Sequence, residues 1–362
     1  MNVKTTNNQI VSRLIQGTGQ LGGFFEPNYS QDKEVVDALR FGVGIGINAI
    51  DTAENYGGGH TEELVAKAIK GIRDNVFIST KVDVGSNGRE DLIRSVDGCL
   101  KRLGTDYLDL LQTHWPTPNI NIHETLTSMN ELVKNGKVKN IGLGNPSLED
   151  LRETDYLEFP IFSIQTEYNL IERSIDKDIK PFCEKNNIII LSWSPLLGGK
   201  SLLSKNKILD KISTRHAASI SQIILSWLMS KNNIYPICRS INLRHIKENF
   251  ESTLINLSHE EISDIDSFNE NSIVYIKPNK ISVENATDRK TYKTLEEAIK
   301  NENGMVPSPI ELSKEFIEGR MPKPIKIIYK NDKCLLIEGR LKYWAWILAF
   351  GYDKPIPCNV IN

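Results

Sequence analysis

Short apolar runs alternate with longer amphipathic segments from Ile10 to about Leu254. The apolar runs predict eight strands, at Ile10–Gln16, Gly46–Ile50, Val76–Thr80, Leu108–Gln112, Asn140–Leu143, Phe162–Gln165, Ile188–Trp193 and Ile234–Ile237. The amphipathic segments predict the helices between and after them, at Lys33–Phe41, Thr61–Ile69, Asp91–Leu103, His123–Val133, Leu148–Glu153, Asp178–Lys185, Ile220–Met229 and Arg244–Thr253. Strands and helices that alternate at this spacing pair in parallel, and eight such units close into a (β/α)8 barrel, the TIM barrel.

The competing layout is an open doubly wound sheet, which needs a GxGxxG turn after its first strand. The chain has no such turn there, so the barrel is favoured. The segment from Ser258 to Glu270 predicts a final surface helix of the barrel region. After Asn271 the pattern changes to short strands at Ile273–Ile276, Ile325–Tyr329 and Lys333–Ile337, with helices at Tyr292–Lys300 and Leu341–Ala349. We therefore predict two domains, a barrel over residues 1–271 and a small α/β domain over residues 272–362.

Composition narrows the class of protein. The 362 residues are 40% hydrophobic and 25% charged, as in an ordinary soluble protein. The net charge of −2 favours neither nucleic acid nor an anionic membrane as a partner. The five cysteines stand far apart, without a C-x-x-C pair, which argues against a zinc site and a disulfide framework. We expect a cytoplasmic protein without a membrane segment or a bound metal.

Titratable side chains cluster at the predicted ends of three successive strands. Asp51 and Tyr56 follow the second strand, Lys81 the third and His114 the fourth. Taken one at a time, each is an ordinary solvated or packed residue. Because the active sites of such barrels lie at the carboxyl ends of the strands, the four are expected to meet at one rim.

Such a group suits proton donation by a phenol. A free tyrosine has a pKa of about 10 and is a poor acid at neutral pH. A neighbouring ammonium stabilises the phenolate, and a carboxylate keeps that ammonium charged. The phenol then becomes able to protonate an oxygen that gains negative charge, such as a carbonyl oxygen whose carbon receives hydride. Side chains do not supply hydride, so this chemistry needs a cofactor.

The motifs DTAENYG, STK and LLQTHWP together resemble the aldo-keto reductases. IGLGN from Ile141, SIQTEYNL from Ser163, LSWSPLLGGK from Leu191 and PICRSINLRHIKENF from Pro236 continue the likeness in family order, over roughly residues 11–257. Gly144 stands where the family usually has Ser. The resemblance implies a catalytic tetrad of Asp51, Tyr56, Lys81 and His114, with Tyr56 as proton donor. His114, where steroid double-bond reductases of the family have Glu, implies a carbonyl reductase.

The resemblance also implies a nicotinamide cofactor, with NADPH favoured over NADH. Its contacts would be Gly17, Thr18, Asp51, Asn145, Gln165, Trp193, Ser194, Leu196, Lys200, Arg239, Ser240, Arg244, Glu248 and Asn249. Arg239, Ser240 and Arg244 match the family's 2′-phosphate contacts, and guanidinium groups suit phosphate. His245 stands where the family usually has a further Arg. The implied substrate is a small-molecule aldehyde or ketone, in a pocket of Phe24, Phe25, Trp115 and Tyr168.

The C-terminal region has a resemblance of its own, to the N-terminal domain of ParB-type proteins. It rests on YIKPNKI, TYKTLEEAIKNENG and the stretch from Pro324 to Gly351. In that likeness Arg340 and Lys342 are possible phosphate ligands at a helix start, where backbone N–H groups favour anions. Alternatively, the region docks on the barrel or mediates self-association, with Trp344, Trp346 and Phe350 as its core. An alternative function for the whole chain is a cofactor-binding redox sensor or regulatory protein that signals through this domain.

Overall fold

The structure is a computed structural model that describes residues 3–4, 10–85, 88–116, 120–196, 207–267, 273–283, 292–301, 305, 307–318, 322, 324–330 and 333–360. The chain divides into two compact units. One includes residues 1–200 and 207–265, and the other includes residues 266–362. The predicted domain boundary, between residues 271 and 272, lies outside the described residues. No helix of the described residues combines the length and apolarity needed to cross a membrane.

Eight parallel strands form a closed barrel in the first unit. They are β1 (Ile15–Gly17), β2 (Ala49–Asp51), β3 (Phe77–Val82), β4 (Leu110–Thr113), β5 (Ile141–Gly144), β6 (Ser163–Glu167), β7 (Ile189–Trp193) and β8 (Ile234–Cys238). Each strand pairs with the next, and β8 closes on β1 through Ile237 and Ile15. The predicted parallel barrel is therefore confirmed.

The helices around the barrel begin and end near their predicted positions. They are α1 (Asp32–Gly44), α2 (His60–Ile69), α3 (Arg89–Leu103), α4 (Ile122–Lys134), α5 (Leu148–Glu153), α6 (Ile179–Lys185), α7 (Lys207–His216), α8 (Ile220–Ser230), α9 (Leu243–Glu251) and α10 (His259–Asp266). The prediction missed α7. Its Leu209 and Ile212 are buried on one face, which is the helical pattern the sequence carried.

The first predicted strand, Ile10–Gln16, was wrong as a single element. Ile10–Val11 pairs with Val3–Lys4 in a separate antiparallel pair, and only Ile15–Gly17 joins the barrel. The strand breaks at Ser12, whose N–H donates to the Asn48 side chain at 2.8 Å and whose hydroxyl donates to the Leu14 carbonyl at 2.7 Å. These bonds replace the ladder bonds that a continuous strand would make.

The second unit contains a five-stranded mixed sheet. Its strands are β9 (Ile273–Ile276), β10 (Ile281–Ser282), β11 (Ile325–Lys330), β12 (Lys333–Glu338) and β13 (Ile356–Val360), in the order β9-β13-β11-β12-β10. The helices are α11 (Leu295–Lys300), α12 (Pro309–Ile317) and α13 (Arg340–Phe350). Trp344 and Trp346 are buried in its core, as predicted, and Phe350 packs against that core while partly exposed.

Two strands and one helix of this unit were missed. β10 has only two residues, and Pro357 within β13 weakens the strand pattern. The helix α12 did carry a signal. Ser308 and Glu311 form a capping box, and Pro309 occupies the first helical position.

Candidate active site

A cavity of about 860 Å³ lies at the carboxyl ends of the barrel strands. Polar and aromatic side chains from most of the strand ends and the following loops line it. Among them are Asp51, Asn55, Tyr56, His114, Gln165, Trp193, Ser194, Arg239, Ser240 and Asn249. This is the rim at which the strand order predicted that the titratable groups would meet.

The ion pair of Asp51 and Lys81 lies beneath this cavity. Lys81 Nζ is 2.7 Å from Asp51 Oδ2 and also donates to the Thr52 carbonyl at 2.7 Å. Ser79 and Gln165 donate to the other carboxylate oxygen, at 3.1 and 2.9 Å. The side chains of Lys81 and Asp51 are only 2% and 4% exposed, so the pair is held almost entirely out of water.

The electrostatics of the pair keep Lys81 charged. Burial opposes its charge, but the carboxylate of Asp51 and the nearby phenol of Tyr56 outweigh that effect and raise the pKa of Lys81. Lys81 Nζ lies 5.2 Å from the centre of the Tyr56 ring. The predicted arrangement of carboxylate, ammonium and phenol is therefore present.

A tight backbone turn holds Tyr56 over Lys81. Its N–H donates to the Ala53 carbonyl at 3.2 Å, and the next two residues, Gly57 and Gly58, have φ of 58° and 60°. L-residues with a side chain rarely adopt these values, so glycine suits both positions. The Gly57 N–H donates to the Phe24 carbonyl at 2.8 Å, which ties the turn to the loop after β1.

His114 completes the group. Its backbone N–H donates to the Val82 carbonyl at 2.9 Å, and its ring lies edge-on to Tyr56 with 5.8 Å between ring centres. Burial, with a contribution from the positive charge of Lys81, lowers the pKa of His114 to about 3. The imidazole is therefore neutral at physiological pH, with one ring nitrogen able to donate and the other to accept.

Gly144 shows why the chain departs from the family pattern at this strand end. A Cβ on Gly144 would collide with the backbone carbonyl oxygens of Thr113 and His114. β5 thus approaches the end of β4 too closely for a serine side chain.

The residues predicted to contact a cofactor fall into two groups. Those that line the cavity are Gly17, Asp51, Gln165, Trp193, Ser194, Leu196, Arg239, Ser240, Glu248 and Asn249. Thr18, Asn145 and Arg244 are not among the described lining residues, and Lys200 lies outside the described part of the chain.

Burial, side-chain contacts or exposure explain why Thr18, Asn145 and Arg244 do not line the cavity. Thr18 is fully buried, and its hydroxyl donates to the Asp51 carbonyl at 2.9 Å. Asn145 accepts from Trp193 Nε1 at 2.9 Å and donates to the His114 carbonyl at 3.2 Å, so it positions cavity residues. Arg244 is 75% exposed, with Nε 3.6 Å from a Glu248 carboxylate oxygen.

Arg239, which directly follows β8, binds the loop that follows β1. Its guanidinium donates to the Gly19 carbonyl at 2.8 Å and to Gln20 Oε1 at 3.1 Å. Both partners line the cavity and were missed by the sequence analysis, as were Asn55, Pro195, Ser219, Ser221, Ile237 and Cys238. His245, which stands in place of a family arginine, also lines the cavity. For Ser219 the sequence did carry a signal of its position, because its capping box with Gln222 marks the start of α8.

The predicted substrate pocket needs one correction. Phe24, Phe25 and Trp115 line the cavity and are 46%, 64% and 55% exposed. Tyr168 does not belong with them. It is 1% exposed, its hydroxyl donates to Asp176 at 3.0 Å, and its ring stacks on Trp227. It is a core residue.

The candidate phosphate ligands of the second unit lie on α13. Arg340 begins this helix after Gly339, which has φ of 101°, and is only 6% exposed. Lys342 is partly exposed on the first turn.

Comparisons with known proteins bear on the barrel. The model of the aldo/keto reductase family matches residues 13–270. The chain is 32% identical over 256 residues to methylglyoxal reductase YeaE of Escherichia coli, covering 69% of this chain and 88% of that protein. Among solved structures, the thermostable aldo-keto reductase Tm1743 with the inhibitor epalrestat is 39% identical, with a TM-score of 0.71, covering 74% of this chain and 99% of the other. An aldo/keto reductase of Klebsiella pneumoniae with NADP and acetate is 28% identical, with a TM-score of 0.68, covering 74% and 94%.

Proposed function

Because the chain belongs to the aldo/keto reductase family and is an NAD(P)H-dependent carbonyl reductase, we propose that Tyr56 is the group that protonates the carbonyl oxygen. The observation that carries this proposal is the buried ammonium of Lys81 beneath the phenol. When bound, the nicotinamide cofactor supplies the hydride that the carbonyl carbon accepts.

The chain's own residues have separate roles in this step. Tyr56 gives its proton to the oxygen as negative charge develops there. Lys81, held charged by Asp51, stabilises the phenolate that remains. His114 is neutral and donates a hydrogen bond to the same oxygen, which places the carbonyl and stabilises the developing charge.

The residues around the cavity fit a nicotinamide dinucleotide. Trp193 offers a flat indole to a nicotinamide ring, and its Nε1–H is already engaged by Asn145. The side-chain amide of Gln165 has its nitrogen committed to Asp51, which leaves the oxygen as acceptor for a carboxamide. Ser240 and Asn249 supply polar groups toward the adenosine end.

We propose NADPH as the preferred cofactor. Arg239 and Ser240 line the cavity, and Arg244 is exposed at the start of α9, where guanidinium and hydroxyl groups can meet a 2′-phosphate. The solved relative from Klebsiella pneumoniae that holds NADP is in keeping with this choice.

Steady-state reduction of methylglyoxal, the substrate named for a relative, tests the proposal with each cofactor. We expect a higher kcat/KM with NADPH than with NADH. Arg244→Gln should raise the KM for NADPH and leave that for NADH unchanged. The matched control is Lys247→Gln on the same helix, a residue that is 65% exposed and pairs with Glu251. An equal effect of the two substitutions, or a preference for NADH, contradicts the NADPH assignment.

We further propose that residues 272–362 form the ParB-like domain that their motifs suggest. The support is the succession of β12, Gly339 and α13, which places Arg340 and Lys342 at a helix start. The test is calorimetric titration of the full chain with a nucleoside triphosphate. Binding that is lost in Lys342→Ala supports the assignment, and no binding contradicts a phosphate site.

A further inference from the structure

We propose that Asn55 is a positioning residue that places the proton of the neutral His114 ring on Nε2, so that the Nε2–H donates to the substrate carbonyl. The inference rests on the proposed function, since it concerns the hydrogen bond that His114 makes in that reaction. Asn55 immediately precedes Tyr56 and lines the same cavity.

The geometry that carries the inference is one hydrogen bond. Asn55 Nδ2 lies 3.1 Å from His114 Nδ1. An amide nitrogen can only donate, so Nδ1 must accept. A neutral imidazole that accepts at Nδ1 carries its single proton on Nε2. The ring is neutral here, since burial and Lys81 lower the pKa of His114 to about 3.

Asp83 determines which way the Asn55 amide faces. Asn55 Nδ2 also lies 3.4 Å from Asp83 Oδ2, on the side of the amide that faces His114. If the amide were turned over, its oxygen would face the carboxylate and the donor would be lost. The oxygen is buried and has no hydrogen-bond partner within the described residues, so no contact there favours the turned orientation.

The Asp83 side chain is 54% exposed. Its partial burial raises its pKa overall, and the hydrogen bond from Asn55 opposes that rise because it stabilises the carboxylate. One of its carboxylate oxygens lies 3.9 Å from His114 Nδ1, beyond hydrogen-bond reach, so the contact between the two passes through Asn55.

Backbone contacts fix the three loops that carry these side chains. The Glu54 N–H donates to the Lys81 carbonyl at 3.0 Å, and the Asp83 N–H donates to Glu54 Oε1 at 2.8 Å. The His114 N–H donates to the Val82 carbonyl at 2.9 Å. The loops that carry Asn55, Asp83 and His114 are therefore held in fixed positions relative to one another. Among the described residues, Lys81 and Tyr56 also face the imidazole.

The test exchanges the donor and the acceptor. The double variant Asn55→Asp/Asp83→Asn keeps the net charge and places a carboxylate against His114 Nδ1. That carboxylate accepts from Nδ1–H, so Nε2 becomes an acceptor. We expect kcat/KM for carbonyl reduction to fall on the order of 10²-fold at pH 8, as when one donor to a developing oxyanion is removed. The affinity for NADPH should not change.

Two comparison variants separate tautomer control from simple structural support. Asn55→Leu has a similar size and neither donor nor acceptor, so the His114 ring can adopt either tautomer and we expect only a few-fold loss. If Asn55 merely filled space or satisfied a bond, Asn55→Leu would be the more damaged protein and the exchange the milder one. Asn135→Asp, at an exposed position just after α4, is the control for an Asn→Asp replacement away from the cavity and should match the wild type.

The tautomer is read directly by ¹⁵N NMR of the free protein, with His114→Asn to assign the signals. We expect Nε2–H in the wild type and Nδ1–H in the exchange variant. A wild-type ring protonated at Nδ1, or an exchange variant with wild-type tautomer and kinetics, would overturn the inference. A wild type with Nε2–H that reduces no carbonyl counts against the proposed function and leaves the role of Asn55 standing.

Discussion

The buried pair of Asp51 and Lys81 gives the most quantitative prediction. At an effective dielectric constant of about 20, unit charges 2.7 Å apart attract by about 6 kcal/mol. Removal of one partner leaves the other charge buried, and such losses typically reduce the free energy of unfolding by about 3–5 kcal/mol. We expect Lys81→Met and Asp51→Asn each to fall in this range.

The expected loss of unfolding free energy differs between the two single variants. In Lys81→Met, the Asp51 carboxylate keeps its bonds from Ser79 and Gln165, so the loss should lie at the lower end. In Asp51→Asn, Lys81 can give up its proton. For a lysine with an ordinary pKa this costs about 5 kcal/mol at pH 7, which sets the upper bound.

The double variant Asp51→Asn/Lys81→Met removes both charges together. We expect it to recover about 3 kcal/mol relative to the sum of the single variants, because no buried charge is left unpaired. Its carbonyl reduction should not recover, since the ammonium beneath Tyr56 is still missing. The double variant should therefore regain part of its stability without regaining activity.

Urea unfolding at pH 7, followed by circular dichroism, measures all three variants. The same cycle on Lys33 and Asp37 is the control, since this pair is as short, at 2.6 Å, but its side chains are 85% and 53% exposed. No measurable coupling is expected there. Additive losses at Asp51 and Lys81, or single losses below about 1 kcal/mol, would refute the reasoning about a buried ion pair.

Three further predictions concern other parts of the barrel. The pKa of His114 is about 3 in the folded chain and about 6.5 when unfolded, so the unfolded state binds more protons between these values and stability is lost as pH falls through this window. His114→Asn should remove about 2 kcal/mol of the loss between pH 7 and pH 5, measured by urea unfolding, and an unchanged pH dependence would contradict a neutral buried ring. Arg102→Met should lower the free energy of unfolding by about 3–5 kcal/mol, because Glu62 is fully buried and bonded to Arg102 at 2.7 Å. A loss no larger than in the exposed-pair variant Arg89→Met, assayed alongside it by urea unfolding, would count against that estimate. Tyr168→Phe should leave kcat/KM unchanged while stability falls by about 1 kcal/mol through the lost bond to Asp176, and a large change in KM for the carbonyl would return Tyr168 to the pocket.

The sequence was sufficient to predict the barrel and the convergence of its four central side chains, because both follow from the regular spacing of strands and helices. Strands that alternate with helices bring their carboxyl ends to one rim, and Asp51, Lys81 and His114 lie at or just after those ends. Their convergence therefore needed no knowledge of side-chain packing.

The features of the site that the sequence analysis missed or misplaced depend on contacts between distant loops, which the spacing of residues does not encode. Tyr168 follows β6 as the predicted pocket residues follow their strands, but its ring turns into the core against Trp227. Asn55 carries no signal of its own, since its position matters only because Asp83 and His114 approach it from two other loops. In the second unit, strands of two residues or with an internal proline fall below what periodicity can detect.

The central claim is that the Tyr56 phenol donates the proton, and Tyr56→Phe tests it most directly. This substitution removes one oxygen and keeps the ring beside His114. We predict that kcat falls by about 10²–10⁴-fold, while NADPH, titrated by protein fluorescence, binds with an unchanged Kd. A variant that binds NADPH and still reduces the carbonyl at the wild-type rate would contradict the account.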